Sequence, residues 1–132
     1  MSNPRFEPRR SSLEPDSFGR SEVIAWKNSP SPSAIDRTEA ARLQHAYAVV
    51  IRRRARSKFK TVGVYAQTCG VSYDRMAKIL RGEAIMRLED IAQAHRILGG
   101  IHQDAMKLLS QVNRRMGIDS AEQISNAQNS ES

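Results

Sequence analysis

From residue 37 to residue 116 apolar positions recur at helical spacing, broken by short polar or glycine-containing stretches. Asp36-Arg37-Thr38-Glu39 sets a carboxylate three residues after a capping side chain, the capping-box arrangement. Leu43, Tyr47, Val50 and Ile51 follow on one face, which predicts a first helix over 37–56. Ser57 to Lys60 reads as a connector, with Phe59 as a core anchor. Thr61 is placed to cap a short second helix ending near Thr68, with Val62, Tyr65 and Ala66 turned inward. Gly70 follows at the position where left-handed backbone is easiest for glycine. Ser72 then caps a third helix over 73–81, with Met76, Ile79 and Leu80 inward and Gly82 ending it. A fourth helix is expected over 87–98, its apolar positions being Leu88, Ile91, Ala92, Ala94 and Ile97 or Leu98. Gly99-Gly100 stops it. A fifth, over 101–116, carries the apolar stripe Ile101, Ala105, Leu108, Leu109, Val112 and Met116. No strand pattern competes, so the predicted class is all-α: a compact bundle of about five short helices.

The two ends read differently. Residues 1–35 hold all five prolines and many serines, too little apolar surface to offset the entropy of ordering them. They read as a disordered basic arm. Val23-Ile24-Ala25-Trp26, with the only tryptophan, has two readings: a docking patch, or a transient cluster within the arm. The division that follows is an arm over 1–35, a domain over 36–100, a C-terminal helix over 101–117 and a polar tail over 118–132.

Charge sharpens this plan. The net charge is +7, but between Ala40 and Arg81 there are ten Lys/Arg and one acid, Asp74, a local net charge of +9. A concentrated basic block suits a polyanionic partner, and a solvated basic face is the plainer reading. A single cysteine, Cys69, allows no intrachain disulfide and suits a reducing cytosol. No apolar run approaches a membrane span, and the N-terminus lacks the apolar core of a secretory signal. The expected location is the cytoplasm, in a bacterium its cytosol or nucleoid. His45, His95 and His102 stand far apart in sequence with one cysteine, so no metal site is expected. Phosphate loops, nucleophile elbows and paired carboxylates are absent from the sequence, so neither enzymatic activity nor a cofactor is expected.

The stretch AQTCGVSYDRMAKILRG answers the requirements of a helix-turn-helix. Two steeply crossing helices need a small residue at closest approach, which Ala66 supplies. The turn needs Gly70, Val71 plugs the angle, and Met76 and Ile79 bury the inner face of the second helix. The outer face is then free for the DNA major groove. With the RLEDIAQAHRILGG that soon follows, this stretch resembles the lambda-repressor/Cro-type helix-turn-helix regulators of bacteriophages and bacteria, over about residues 37–98. The resemblance implies a compact bundle, dimeric operator binding and transcriptional control.

By that resemblance, Ser72, Tyr73, Asp74, Arg75 and Lys78 face base edges. Arg75 and Lys78 suit guanine, and Tyr73 suits a thymine methyl or a phosphate. Asp74 has two readings, accepting from cytosine or stabilising the helix start. Phosphate contacts are expected from Lys60, Thr61, Gln67, Arg81 and Arg87, with some of Arg52, Arg53, Arg54, Arg56 and Lys58 near the same surface, where a solvated helix end is the other reading. The stripe Ile101, Ala105, Leu108, Leu109 and Val112 is the candidate homodimer face; packing on the first and fourth helices is its other reading. The expected function is a sequence-specific double-stranded-DNA-binding regulator, of the phage immunity-repressor type, acting by operator occupancy. No small-molecule ligand is indicated. The competing class is a protein-binding adaptor or antitoxin-like helical module.

Overall fold

The computed structural model describes residues 6–28 and 30–116, and the side chains of the last helix as far as Gln111. It contains five α-helices: α1 Pro32–Phe59, α2 Val62–Cys69, α3 Tyr73–Leu80, α4 Leu88–Leu98 and α5 Ile101–Met116. Among the described residues there is no strand, only one isolated bridge between Ser12 and Trp26. No helix among them is long and apolar enough to cross a membrane. The all-α class is what the chain adopts. The polar tail expected over 118–132 lies outside the described residues.

α1 is the axis of the bundle and touches each of the other four helices. It begins earlier than the sequence pattern suggests. Ser31, not Asp36, is the cap: its Oγ accepts from the Ala34 N–H at 3.2 Å, and Pro32 takes the first helical position, where a missing N–H costs nothing. It also ends later, because Ser57–Phe59 continue the helix. Lys60 closes it at φ 71°, the one described non-glycine residue with positive φ.

Residues Gln44 to Ile51 are buried without interruption. A helix covered on all sides loses the one-faced stripe that periodicity detects. Leu43, expected inside, is accordingly outside, while Ala46, Ala48 and Val49 are buried.

The covering on the far side of α1 is the segment expected to be a disordered arm. Residues 6–28 are instead folded onto the bundle. Pro8 and Pro15 each start a short 3-10 turn, Pro8–Ser11 and Pro15–Ser17. The Leu13 N–H donates to the Ala25 carbonyl at 2.9 Å and the Lys27 N–H to the Ser11 carbonyl at 3.0 Å, which closes the segment into a loop. Phe18, Ile24 and Trp26 enter the core. The physical reason is burial: three large apolar side chains reach a ready-made surface, each contributing roughly 1.5–3 kcal/mol.

Two features tie this loop to the bundle. His45 is buried between the rings of Phe18 and Trp26, with centroids at 5.3 and 5.8 Å. Its Nδ1 accepts from the Gly19 N–H at 2.9 Å, which leaves Nε2 to donate to the Glu22 carbonyl at 3.2 Å. Burial pushes the His45 imidazole below its ordinary range, so it stays neutral. Gly19 itself, at φ 74°, lies so close to α3 that a Cβ there would stand 2.0 Å from the Leu80 carbonyl oxygen.

α5 completes the core. Ile101, Ala105 and Leu108 are buried and Leu109 packs against the core's edge, in a helix docked on α1 and α4. Ile101, Ala105 and Leu108 of the stripe proposed as a dimer face are therefore spent inside the protomer, and Leu109 is partly so. The Val112 side chain lies outside the described residues.

Candidate nucleic-acid interface

α2 and α3 pack on each other across a short turn. The Thr61 Oγ1 accepts from the Val64 N–H at 3.1 Å and caps α2. Ala66 is buried where the two helices approach. Gly70 closes α2 at φ 75°, ψ 23°, a left-handed position with open space around it, so glycine is chosen there for its backbone and not for room. The Ser72 Oγ caps α3 by accepting from the Arg75 N–H at 3.1 Å. Met76, Ile79 and Leu80 are buried, which leaves Ser72, Tyr73, Asp74 and Lys78 exposed on the outer side.

The end of α3 is held by a residue that the pattern of apolar positions does not single out. Gln44 of α1 is buried and its amide donates to the Ile79 carbonyl at 3.0 Å and the Ala84 carbonyl at 2.9 Å. Its Oε1 accepts from the Met86 N–H at 2.8 Å. One side chain thereby satisfies a backbone group at the end of α3 and two in the α3–α4 loop, and fixes the tilt of α3 on α1.

The five side chains assigned to base edges do not form one uniform set. Tyr73 is 60% exposed and lies next to Gly63, at the start of α2. Lys78 and Asp74 pair with each other at 3.1 Å, one turn apart, so Asp74 neutralises the lysine in the free protein. Arg75 is different. Its guanidinium reaches the Asp90 carboxylate at 3.1 and 3.5 Å, and Asp90 also accepts the Arg87 backbone N–H at 2.8 Å. Arg75 thus braces α3 against the start of α4. The outward set is Ser72, Tyr73, Asp74 and Lys78.

The phosphate set divides as well. Arg53 pairs with Glu22, and Arg54 with Asp104 at 2.6 Å. Lys58 donates to the Ile97 carbonyl at 2.5 Å, at the end of α4. Arg81 is bound to Glu83 at 2.5 Å. Thr61 is engaged as a cap, and Lys60, Gln67 and Arg87 are exposed. Arg52 and Arg56, one helical turn apart, remain, and neither makes an ion pair among the described residues.

Arg52 is half-buried, and its Nε donates to the Gly19 carbonyl at 3.1 Å. Burial first, and then the positive charges of Arg20, Arg56 and Arg81 around it, push its guanidinium below the usual arginine range; Tyr73 close by acts in the other direction. This gathers arginines from the N-terminal segment, α1 and the end of α3 around Arg52, with Tyr73 nearby. Arg20 was expected only as one cation of a disordered basic arm that either wraps the duplex or is a plain tether; its fixed place beside Arg52 follows from the Gly19 contacts, which no periodicity announces.

The histidines bring a correction of a different kind. His95 and His102 are not far apart: their rings lie 4.7 Å apart across the Gly99-Gly100 turn, and the His102 Nδ1 is 2.8 Å from the Tyr47 hydroxyl. Among the described residues no third ligating side chain joins them. Cys69 is a free, half-buried thiol whose titration burial pushes up.

No protein-family model, curated protein or solved structure matches the chain.

Proposed function

We propose that the protein is a sequence-specific double-stranded-DNA-binding transcriptional regulator with a lambda-repressor-like helix-turn-helix. It acts in a bacterial or phage-infected cytoplasm by occupying an operator. The observation that carries the reading is the pairing of two features on one surface. A capped helix with an exposed polar outer face follows the Gly70 turn, and Arg52 near Tyr73, with Arg56 one turn further along α1, makes no ion pair among the described residues. A helix of this kind fits a major groove, and unpaired guanidinium groups at its flank suit the backbone phosphates.

Tyr73, Asp74 and Lys78 read base edges in this scheme, with Lys78 exchanging Asp74 for guanine and releasing the carboxylate to a cytosine amine. Arg75 is kept as a brace and enters the groove only by giving up Asp90. Two copies occupy two half-sites, through a face other than Ile101, Ala105 and Leu108, which lie in the core.

The test is selection of binding sites from a random duplex library, followed by titration of single-base variants. A Lys78→Ala protein is expected to lose about 1–3 kcal/mol of discrimination at one base position. Equal affinity of the wild-type protein for selected and random duplex at physiological salt would refute sequence-specific reading.

A second reading, a protein-binding adaptor or antitoxin-like module, is favoured by one feature. A shallow apolar groove beside α1 is lined by Phe6, Leu43, Ile85 and Leu88, and Leu88 is 84% exposed. An adaptor retains its partner when Tyr73 and Lys78 are both replaced by alanine.

A further inference from the structure

We infer that the docked N-terminal segment is a built part of the duplex-binding face, and that Arg20, held beside Arg52 and Arg81, contacts a backbone phosphate of the same DNA. The inference rests on the duplex-binding reading above.

The position of Arg20 is fixed by its neighbour. Gly19 has both backbone groups engaged on α1, its N–H with His45 at 2.9 Å and its carbonyl with Arg52 at 3.1 Å. Its Cα is wedged against the Leu80 carbonyl, in left-handed backbone that only glycine adopts without strain. A second tie lies just beyond the end of α3, where the Arg9 N–H donates to the Gly82 carbonyl at 3.0 Å. The segment is therefore pinned on both sides of Arg81, and the residue after Gly19 starts from a fixed point relative to α3.

Charge sets Arg20 apart from Arg9 and Arg10. Arg9 and Arg10 are bound to Glu7, and Arg9 also reaches Glu83. Glu22, two residues beyond Arg20, is drawn to Arg53. Arg20 is exposed and makes no ion pair among the described residues. Arg81 is met by Glu83, but Arg20 and Arg52 make no ion pair among the described residues, and like charges so placed repel one another, the more so because Arg52 is half-buried. A phosphodiester relieves that repulsion: its two free oxygens match the planar donor fork of a guanidinium, and Arg52 has its Nη edge left after Nε is used. Duplex DNA places such groups along a strand flanking the groove that α3 enters.

The experiment measures the affinity of the full chain for a random-sequence duplex across a range of salt concentrations. It compares wild type with Arg20→Ala, Arg20→Lys and Arg10→Ala. Each phosphate contact adds about 0.9 to the slope of log affinity against log salt. Arg20→Ala is expected to lower the slope by about 1 and to weaken binding by about tenfold at low salt. Arg20→Lys keeps the slope, and Arg10→Ala leaves it unchanged. Trp26 fluorescence, which reports docking of the segment, stays at its wild-type value in all three.

A wild-type slope in Arg20→Ala overturns the inference. If Tyr73→Ala with Lys78→Ala still weakens binding in that case, the duplex reading stands and the segment is structural only. A wild-type chain that binds no duplex overturns both.

Discussion

Arg52 and Arg56 lie on one side of α1, and Arg53 and Arg54 on others, although the four fall within five consecutive residues. Arg53 and Arg54 are met by Glu22 and Asp104. Arg52 has Arg20, Arg56, Arg81 and Tyr73 near it, and among the described residues neither Arg52 nor Arg56 makes an ion pair, although Glu83 meets Arg81. The N-terminal segment serves both sides, with the Gly19 carbonyl and Arg20 on one and Glu22 on the other. A run of charge in a sequence is thus not yet a surface. Successive helical residues point about 100° apart, so neighbouring elements decide which charges are neutralised and which are left for a ligand.

Removing the segment breaks this contrast most severely. Gly19→Ala forces a Cβ into the Leu80 carbonyl and strains the backbone at φ 74°. Overpacking and left-handed strain together predict a loss of about 2–5 kcal/mol. Chemical denaturation should record it, with Trp26 becoming exposed before the rest of the chain unfolds. Full wild-type stability in Gly19→Ala would mean that the segment does not sit where Arg52 and Arg20 need it.

Acidity is a gentler way to loosen the same joint. The folded chain keeps His45 neutral, and the unfolded chain binds a proton near the ordinary imidazole value of about 6.5. Stability from this site is therefore complete above that value and is lost as pH falls towards the lowered folded value. Thermal midpoints at about pH 7.5 and about pH 5.5 should differ, and His45→Gln should flatten the difference. The same pH dependence in both proteins would assign it to other groups.

The smallest effect belongs to the paired side. Glu22 with Arg53, and Asp104 with Arg54, are substantially exposed pairs, and such pairs contribute about 0–1 kcal/mol. Arg53→Ala with Arg54→Ala should lower stability by no more than about 2 kcal/mol in a melt. A larger loss would mean that these arginines hold α5 and the segment more strongly than exposed pairs do.

How far the sequence foretold this arrangement depends on the range of each signal. The α2–α3 pair was legible because its determinants are local. Thr61 and Ser72 cap within three residues, Gly70 turns the chain, and Met76 and Ile79 lie at helical spacing. The N-terminal segment was not legible. Its prolines and serines resemble those of a disordered arm, and Phe18, Ile24 and Trp26 follow no period. What orders them is a partner 26 residues away, His45 for Gly19. α1 lost its stripe for the same reason, since the segment buries the side that would otherwise be polar. On α5 the stripe was visible, but an apolar face says only that something covers it. Here α1 does so before a second copy can. Within the candidate site, the outward placement of Tyr73 and Lys78 could be read from spacing. The diversion of Arg75 to Asp90, fifteen residues on, could not.

The central claim is that α1 carries an unpaired phosphate-binding side and a paired structural side. The direct test is the salt dependence of duplex affinity in two double variants, Arg52→Ala with Arg56→Ala and Arg53→Ala with Arg54→Ala. The first pair should lower the slope of log affinity against log salt by about 2, and the second should leave it near wild type. Equal slopes in the two double variants, or a larger drop in the second, would contradict the account.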